Sequence, residues 1–162
     1  GQIEFEGKEV RLENPRDAEK TGIGCLHQGL GLVDSLNVPE NVFLGRELQK
    51  KFLGFVPQLD HSSMHEQTKK HLNQFGVNLP KIKEPVINLS GGQRQTIAIS
   101  RLLLQKVKLV ILDEPMAALG VEEGRHVLKL IENMRSNNIS IIVISHNLRL
   151  IRLAKLRLYP TA

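Results

Sequence analysis

Two short groups of residues in this chain have the types and spacing that phosphate and metal chemistry requires. Ser90, Gly91 and Gly92 open the stretch Gly91–Gln105, whose apolar residues recur with helical spacing. The first N–H groups of a helix lack partners and lie at its positive end, so glycines let an anion approach and serine adds a donor. A serine-capped helix is the plain alternative, but the string Leu89–Gln93 is more specific than a cap alone.

The second group follows two apolar runs further along the chain. Asp113 and Glu114 end the run Val107–Leu112, and His146 ends the run Ile139–Ser145. Ligands of open α/β sheets bind at the carboxyl ends of the strands, where these side chains would emerge. An aspartate there can hold Mg²⁺, a glutamate can take a proton from water, and a histidine can hydrogen-bond a phosphate. The alternatives are a solvated acidic turn and a structural histidine.

Other polar residues give weaker indications. Gln28 ends the apolar run Ile23–His27, and on its own it would be an ordinary loop residue. The three histidines of the 61–71 stretch could suggest a metal site, but a solvated helical face is the better interpretation because lysines and glutamines surround them. The single cysteine, Cys25, cannot form an internal disulfide, and we expect it to be a small buried strand residue.

Composition bounds the class of protein. The 162 residues are 41% hydrophobic, contain no Trp and carry a net charge of +5, much of it in the acid-free stretch Asn147–Ala162. A basic balance invites a nucleic-acid partner, but few aromatic residues are present to stack on bases. No apolar run is long enough to span a bilayer and no signal-peptide pattern opens the chain.

The pattern of apolar residues predicts an α/β fold. We expect a β-hairpin over Gln2–Leu12, a short helix after the cap Asn14 and through Lys20, and a brief strand over Ile23–His27. Residues 34–88 are more polar, with helical spacing over Pro57–Phe75 that ends near Gly76, and indicate a separate helical subdomain.

After Ser90 helices and strands alternate. The predicted elements are the helix Gly91–Gln105, the strand Val107–Leu112, the helix Val121–Asn137, the strand Ile139–Ser145 and a final helix over Asn147–Leu158. Both strands are nearly continuous apolar runs, which is typical of parallel strands buried on both faces.

Taken in order, the four groups resemble the motifs of the ATP-binding cassette (ABC) family. Gln28 is similar to its Q-loop, Leu89–Gln93 to its signature, Asp113-Glu114 to its Walker B motif and His146 to its switch histidine. The stretches 37–47 and 114–121 further resemble cassettes of bacterial importers of monosaccharides such as ribose, xylose, fructose or galactose.

The resemblance implies a role for each matching residue. Asp113 and Gln28 would contact Mg²⁺, Glu114 would polarise the attacking water with Gln28 nearby, and His146 would contact the γ-phosphate of ATP. The signature would bind the γ-phosphate held by the other subunit of a head-to-tail dimer; its residues are Ser90, Gly91, Gly92 and Gln93.

The resemblance also implies an architecture: a P-loop NTPase-like, RecA-like parallel sheet (residues 1–33 and 89–162) with an N-terminal β-hairpin and an inserted helical subdomain (residues 34–88). The family's Walker A motif, Gly-x-x-x-x-Gly-Lys-Ser/Thr, occurs nowhere in the 162 residues. The family continues past the histidine with acidic residues and further strands, whereas this chain continues with a basic stretch to Ala162. We therefore expect a chain truncated at both ends and deficient as an ATPase on its own.

Implied partners are a transmembrane permease, a second ABC subunit and, indirectly, a periplasmic sugar-binding protein, on the cytoplasmic face of the cell membrane. No nucleic-acid partner is expected. Two other hypotheses stay open from the residues: a non-catalytic partner that completes another subunit's ATP site, and a soluble ABC-type ATPase that acts on nucleic acid.

Overall fold

A three-stranded parallel sheet forms the centre of the computed structural model, which describes residues 1–53, 55–79 and 81–146. Its strands are β3 (Ile23–Leu26), β6 (Leu109–Asp113) and β7 (Ser140–Ile144), in the order β3-β6-β7. Leu26 pairs with Leu112, and Leu112 pairs in turn with Val143. The α/β class with a parallel sheet is confirmed.

The N-terminal segment forms a small hairpin and a capped helix. Strands β1 (Glu4–Phe5) and β2 (Lys8–Glu9) pair antiparallel. Helix α1 (Pro15–Thr21) begins as the sequence predicts, with the Asn14 side chain accepting a hydrogen bond from the Asp17 N–H and proline in the first turn. These elements are shorter than predicted but have the predicted type.

Residues 34–88 contain two helices and a second hairpin. Helix α2 (Val38–Val42) is closed by a capping box and precedes the antiparallel strands β4 (Gln49–Phe52) and β5 (Val56–Leu59). Helix α3 (His61–Gln74) starts at the cap Asp60, after the strand that the helical pattern from Pro57 did not predict. Gly76, at φ 69°, follows its end as expected.

Two amphipathic helices flank the central strand in sequence. Helix α4 (Gly91–Leu103) precedes β6 and helix α5 (Val121–Ser136) follows it, both within two residues of the predicted bounds. The core combines these helices with the sheet and helix α3; its largest buried side chains are Met64, Ile97, Ile99, Leu112, Leu130 and Met134. Burial of this surface is the main force that fixes the sheet edge.

The structure corrects two expectations about burial. Strand β7 is not buried on both faces: Ile142 and Ile144 are about half exposed, since within the described residues β7 is an edge strand packed on one face only. Cys25 is exposed rather than buried, because its side chain points away from the flanking Gly24 and Leu26, which are buried.

Two further expectations have a limited outcome. The helix predicted over Asn147–Leu158 lies outside the described residues, and the division into a core and a helical subdomain stays a prediction. Among the described residues, no helix has the length and apolar character that crossing a bilayer requires.

Candidate functional site

The carboxyl ends of the three parallel strands bring most of the predicted chemical residues to one edge of the sheet. Gln28 follows β3, Asp113 ends β6 with Glu114 next, and His146 follows β7. The register pairs Asp113 with Ile144, so Glu114 and the Ser145-His146 pair leave adjacent strands side by side. Parallel pairing therefore explains why residues far apart in sequence converge here.

Glu114 and His146 are in direct contact. The Glu114 Oε1 atom accepts a hydrogen bond of 2.7 Å from the His146 backbone N–H, and it lies 2.7 Å from the imidazole Nδ1 of the same residue. The Ser145 hydroxyl donates to Glu114 Oε2 at 3.0 Å. The Glu114 side chain is 20% exposed and that of His146 is 86% exposed, so a half-enclosed carboxylate meets an imidazole that is open to solvent.

These contacts set the charge state of Glu114. Burial alone would raise its pKa, but the hydrogen bonds from His146 and Ser145 and the charge of a protonated His146 outweigh burial and lower the pKa below its ordinary value. Glu114 is therefore ionised at neutral pH. A carboxylate held in this state can accept a proton from a polarised water molecule.

The backbone at Glu114 adds a second constraint. Its φ is 46°, in the left-handed region that side-chain-bearing residues rarely adopt, and its N–H donates to the Ile144 carbonyl at 2.8 Å. Such conformations persist where the surroundings over-determine them, and they are common at functional sites. Here the contact with β7 and the His146 bonds hold the residue.

Asp113 and Gln28 lie at the same edge without a direct link. Asp113 is half-buried. Desolvation of the thiol and, to a smaller extent, the negative charge of Asp113 raise the pKa of Cys25 on the neighbouring strand. Gln28 is exposed, and within the described part of the chain no hydrogen bond joins it to Asp113 or Glu114. The structure thus brings Glu114 and His146 into contact and leaves Gln28 near them by strand position only.

The signature segment forms the start of helix α4. The Ser90 hydroxyl accepts from the Gln93 N–H at 3.3 Å, and Gln93 Oε1 accepts from the Ser90 N–H at 3.0 Å. Together they make a capping box, so Ser90 and Gln93 also cap helix α4, as the alternative of a serine-capped helix expects. Ser90 and Gly91 are exposed, so this helix start faces solvent.

A carboxylate that the sequence did not point to lies against this helix start. A Cβ built on Gly92 would meet the Glu123 Cβ at 2.7 Å and its Cγ at 3.0 Å. Hydrogen bonding to the Ser90 hydroxyl, the Gly120 N–H and the Gly92 N–H lowers the pKa of Glu123. Helix α5 thus presents an acidic side chain to the positive end of helix α4.

The glycines of the signature lie against residues that follow Glu114 in the chain. Gly91 faces Leu119 and Gly92 faces Glu123, both in the loop and helix that follow Glu114. Sequence reasoning missed Glu123 and Ser145. The signals available were the polar residue directly before His146 and the spacing of Gly120 and Glu123, which is that of a capping box.

The histidines of helix α3 do not converge. No group of three or more metal-ligating side chains occurs among residues 1–53, 55–79 and 81–146. The expectation of a wholly solvated face is wrong for His71: its Nε2 lies 3.3 Å from the Ser100 carbonyl, its ring packs edge-on against Phe75, and burial lowers its pKa. His71 thus contacts helix α4 at Ser100.

Comparison with known proteins places this geometry in a family. The family model described as "ABC transporter" matches residues 1–117, and so includes Gln28, the signature and Asp113-Glu114. Among solved structures, a nucleotide-free ATP-binding cassette from an ABC transporter is 21% identical, covers 94% of this chain and 62% of its own, and has a TM-score of 0.75.

Curated relatives align over most of the chain. The fructose import ATP-binding protein of Rhizobium meliloti is 40% identical over 151 residues, 91% of this chain and 58% of the relative. The xylose/arabinose import ATP-binding protein of Sulfolobus acidocaldarius is 38% identical, over 91% of this chain and 57% of its own length. The ribose import ATP-binding protein of Caldanaerobacter subterraneus is 40% identical, and this chain spans 29% of it.

The chain thus spans little more than half the length of the shorter relatives that it matches. The family match, the shared fold and the order of the motifs agree with one another, and the resemblance stated from the sequence is confirmed. The chain belongs to the ABC transporter family.

Proposed function

We propose that this chain is part of the ATP-binding subunit of an importer for monosaccharides, in which ATP hydrolysis drives uptake. The observation that carries the proposal is the Glu114–His146 contact at the carboxyl edge of the parallel sheet. The names of the relatives, which import fructose, xylose or ribose, support the substrate class. The permease and a second ABC subunit would be its partners, with a periplasmic sugar-binding protein acting through the permease, at the cytoplasmic face of the membrane.

The residues present fit Mg²⁺ bound together with a nucleotide. Mg²⁺ prefers oxygen ligands and is held by one or two carboxylates plus substrate phosphates rather than by an all-protein cage. Asp113, half-buried at the carboxyl end of β6, supplies such a carboxylate. Asp113 would hold the metal, with Gln28 reaching it from β3; the bound metal would neutralise charge on the phosphates.

Glu114 and His146 would divide the work on water and phosphate. Glu114, ionised at neutral pH, accepts the proton of the attacking water, and its backbone contact with β7 fixes its direction. His146 is open to solvent, so its imidazole can turn from Glu114 to hydrogen-bond a terminal phosphate. Ser90, Gly91 and Gly92 would bind the terminal phosphate of ATP held by a partner subunit.

On their own, the 162 residues should hydrolyse ATP only negligibly. They contain no Walker A motif, whose backbone and lysine supply most of the contacts to the β- and γ-phosphates. The measurement is phosphate release by the purified chain with Mg²⁺. Robust release that Glu114→Gln abolishes would contradict this expectation.

The proposal is tested by a graft into the Rhizobium meliloti fructose relative. The matching segment of that relative is exchanged for this chain, and fructose uptake is measured in cells that lack the relative. Uptake should return with the graft and disappear with Glu114→Gln. A folded graft that hydrolyses ATP but never supports uptake would reject the importer assignment.

A second candidate is a non-catalytic partner that completes an ATP site held by a full-length subunit. The exposed start of helix α4, with Ser90 and Gly91 open to solvent, favours it. Mixing the chain with a full-length relative and following ATP-dependent association tests this hypothesis. The Ser90→Arg variant should not associate, and absence of association by the unmodified chain rejects it.

A further inference from the structure

The hairpin of β4 and β5 carries an exposed apolar tip. In sequence it is far from the residues of the sheet edge, Glu114 and His146. Leu53 is 72% exposed, Phe55 is 76% exposed and Val56 is 41% exposed. The base of the hairpin is closed by a 2.8 Å hydrogen bond from the Asp60 N–H to the Leu48 carbonyl. Large apolar side chains clustered at a tip in this way indicate a surface that something else covers.

Within the hairpin the charges have one sign, and the acidic residues Glu47 and Asp60 flank it directly, with Asp60 interacting with Lys50. Lys50 and Lys51 are exposed on β4, and the stretch from Leu48 to Leu59 contains no acidic residue. The register pairs Lys50 with Gln58 and Lys51 with Pro57. Because successive strand residues point to opposite faces, one lysine stands on each face of the hairpin.

We propose that this hairpin tip inserts into the headgroup region of an anionic lipid bilayer. An apolar tip with lysines behind it is complementary to such a surface. Leu53 and Phe55 would contact the acyl chains, and the lysine ammonium groups would pair with the anionic headgroups. The inference goes beyond the proposed function and does not depend on it, since lipid alone is the partner.

The dimensions of the hairpin match those of the interface. Lys51 lies on β4 and Leu53 lies two residues further, in the turn, so the chain between them spans at most about 7 Å. Apolar groups of interfacial segments are buried to a depth of about 5–10 Å. Leu53 and Phe55 can therefore reach the acyl boundary while the lysines remain at the level of the phosphates.

The test is co-sedimentation of the full chain with vesicles of phosphatidylcholine, with and without phosphatidylglycerol. The chain should bind only the anionic vesicles. Leu53→Asp with Phe55→Asp should weaken binding about 100-fold, because two apolar side chains lose their burial. Lys50→Gln with Lys51→Gln should weaken it about 30-fold, at about fivefold for each lysine near the surface.

Matched variants control for fold and charge. Lys69→Gln with Lys70→Gln changes the net charge equally on the exposed side of helix α3, and should retain binding. Ile3→Asp alters an apolar residue that is 50% exposed elsewhere and should also retain it. Thermal unfolding of every variant checks that the fold is kept.

A tryptophan reporter locates the contact, because the chain has no Trp of its own. Phe55→Trp should show a blue-shifted, quencher-protected emission on anionic vesicles, and Ile87→Trp, at a position that is 60% exposed, should not. Three results would overturn the proposal. The unmodified chain does not bind, which leaves the tip for a protein partner, or the tip variants bind as well as the unmodified chain. In the third, binding is lost only in the variant Arg149→Gln with Arg152→Gln, in the basic stretch after Asn147.

Discussion

Glu114 is held by hydrogen bonds and by an unusual backbone conformation at the same time. The His146 and Ser145 bonds favour its ionised form, while its positive φ is a cost that the surrounding contacts offset. The residue is thus fixed in direction and charge before any ligand arrives. Preorganisation of this kind is what a proton acceptor needs.

Glu114→Gln should destabilise the fold in a pH-dependent way. Loss of a charge-assisted hydrogen bond costs about 1.5–3 kcal/mol. Because the folded pKa of Glu114 is lowered, its contribution is fully present above the ordinary value of 4.5 and is lost as the pH falls through the lower folded value. Urea unfolding at neutral and acidic pH measures the difference between variant and wild type.

The control for this prediction is Glu122→Gln, an exposed residue paired with Arg125. It should change the free energy of unfolding little at either pH. A Glu114→Gln effect that stays constant into acid would show that the carboxylate bonds do not carry the stability.

Ala118 offers a second test at this scale. Its φ is 59° and it is exposed, whereas Ala117 beside it is exposed without a positive φ. Ala118→Gly should stabilise the chain by about 0.5–1 kcal/mol, since it relieves the left-handed conformation. Ala117→Gly should destabilise it slightly, and equal effects in thermal unfolding would contradict the backbone assignment.

At the scale of elements, the packing of helix α4 on helix α5 depends on Gly92. A side chain there would meet Glu123 at 2.7 Å, while one on Gly91 would meet Leu119 at an ordinary 3.5 Å. The first is closer than real Cβ contacts and requires helix α5 to move. The glycine is therefore needed for close approach, whatever ligand binds at the helix start.

Gly92→Ala should lower the free energy of unfolding by about 1–3 kcal/mol, the usual cost of overpacking. Gly91→Ala should leave it unchanged or raise it by up to about 1 kcal/mol, because alanine favours the helix. Chemical denaturation of the pair is the measurement. A Gly91 variant as unstable as the Gly92 variant would refute the packing argument.

The elements with strong apolar periodicity were predictable, and the others were not. Helices α4 and α5 and strand β6 follow from their spacing because burial and local preference agree. Strand β4, Gln-Lys-Lys-Phe, has no apolar alternation, and it forms by pairing with β5 alone. His71 was misjudged because it contacts the Ser100 carbonyl of helix α4, and residue type does not reveal such a contact.

The sequence predicted which residues lie at the site better than it predicted the contacts between their side chains. Strand ends identified Asp113, Glu114 and His146 as neighbours, since parallel strands share an edge. The bond between Glu114 and His146, and the approach of Glu123 to Gly92, depend on side-chain packing. The catalytic and ligand-binding roles of these residues stay predictions.

At the scale of the whole molecule, the described surfaces divide the proposed work. The sheet edge carries Glu114 and His146, the start of helix α4 faces solvent, and the β4–β5 hairpin carries the apolar tip with two lysines behind it. A cassette between a second subunit, a permease and the bilayer would use all three surfaces. Each can be altered alone, so their functions can be separated by mutation.

The most direct test of the central claim is Mg²⁺-dependent ATP hydrolysis by the purified graft of this chain into the Rhizobium meliloti relative. The graft should hydrolyse ATP, and Glu114→Gln should reduce the rate at least about 100-fold, as loss of a general base does, while ATP binding and the Glu122→Gln control remain normal. A folded, ATP-binding graft that is inactive, or one whose rate Glu114→Gln leaves unchanged, would contradict the assignment of this sheet edge as the hydrolytic site.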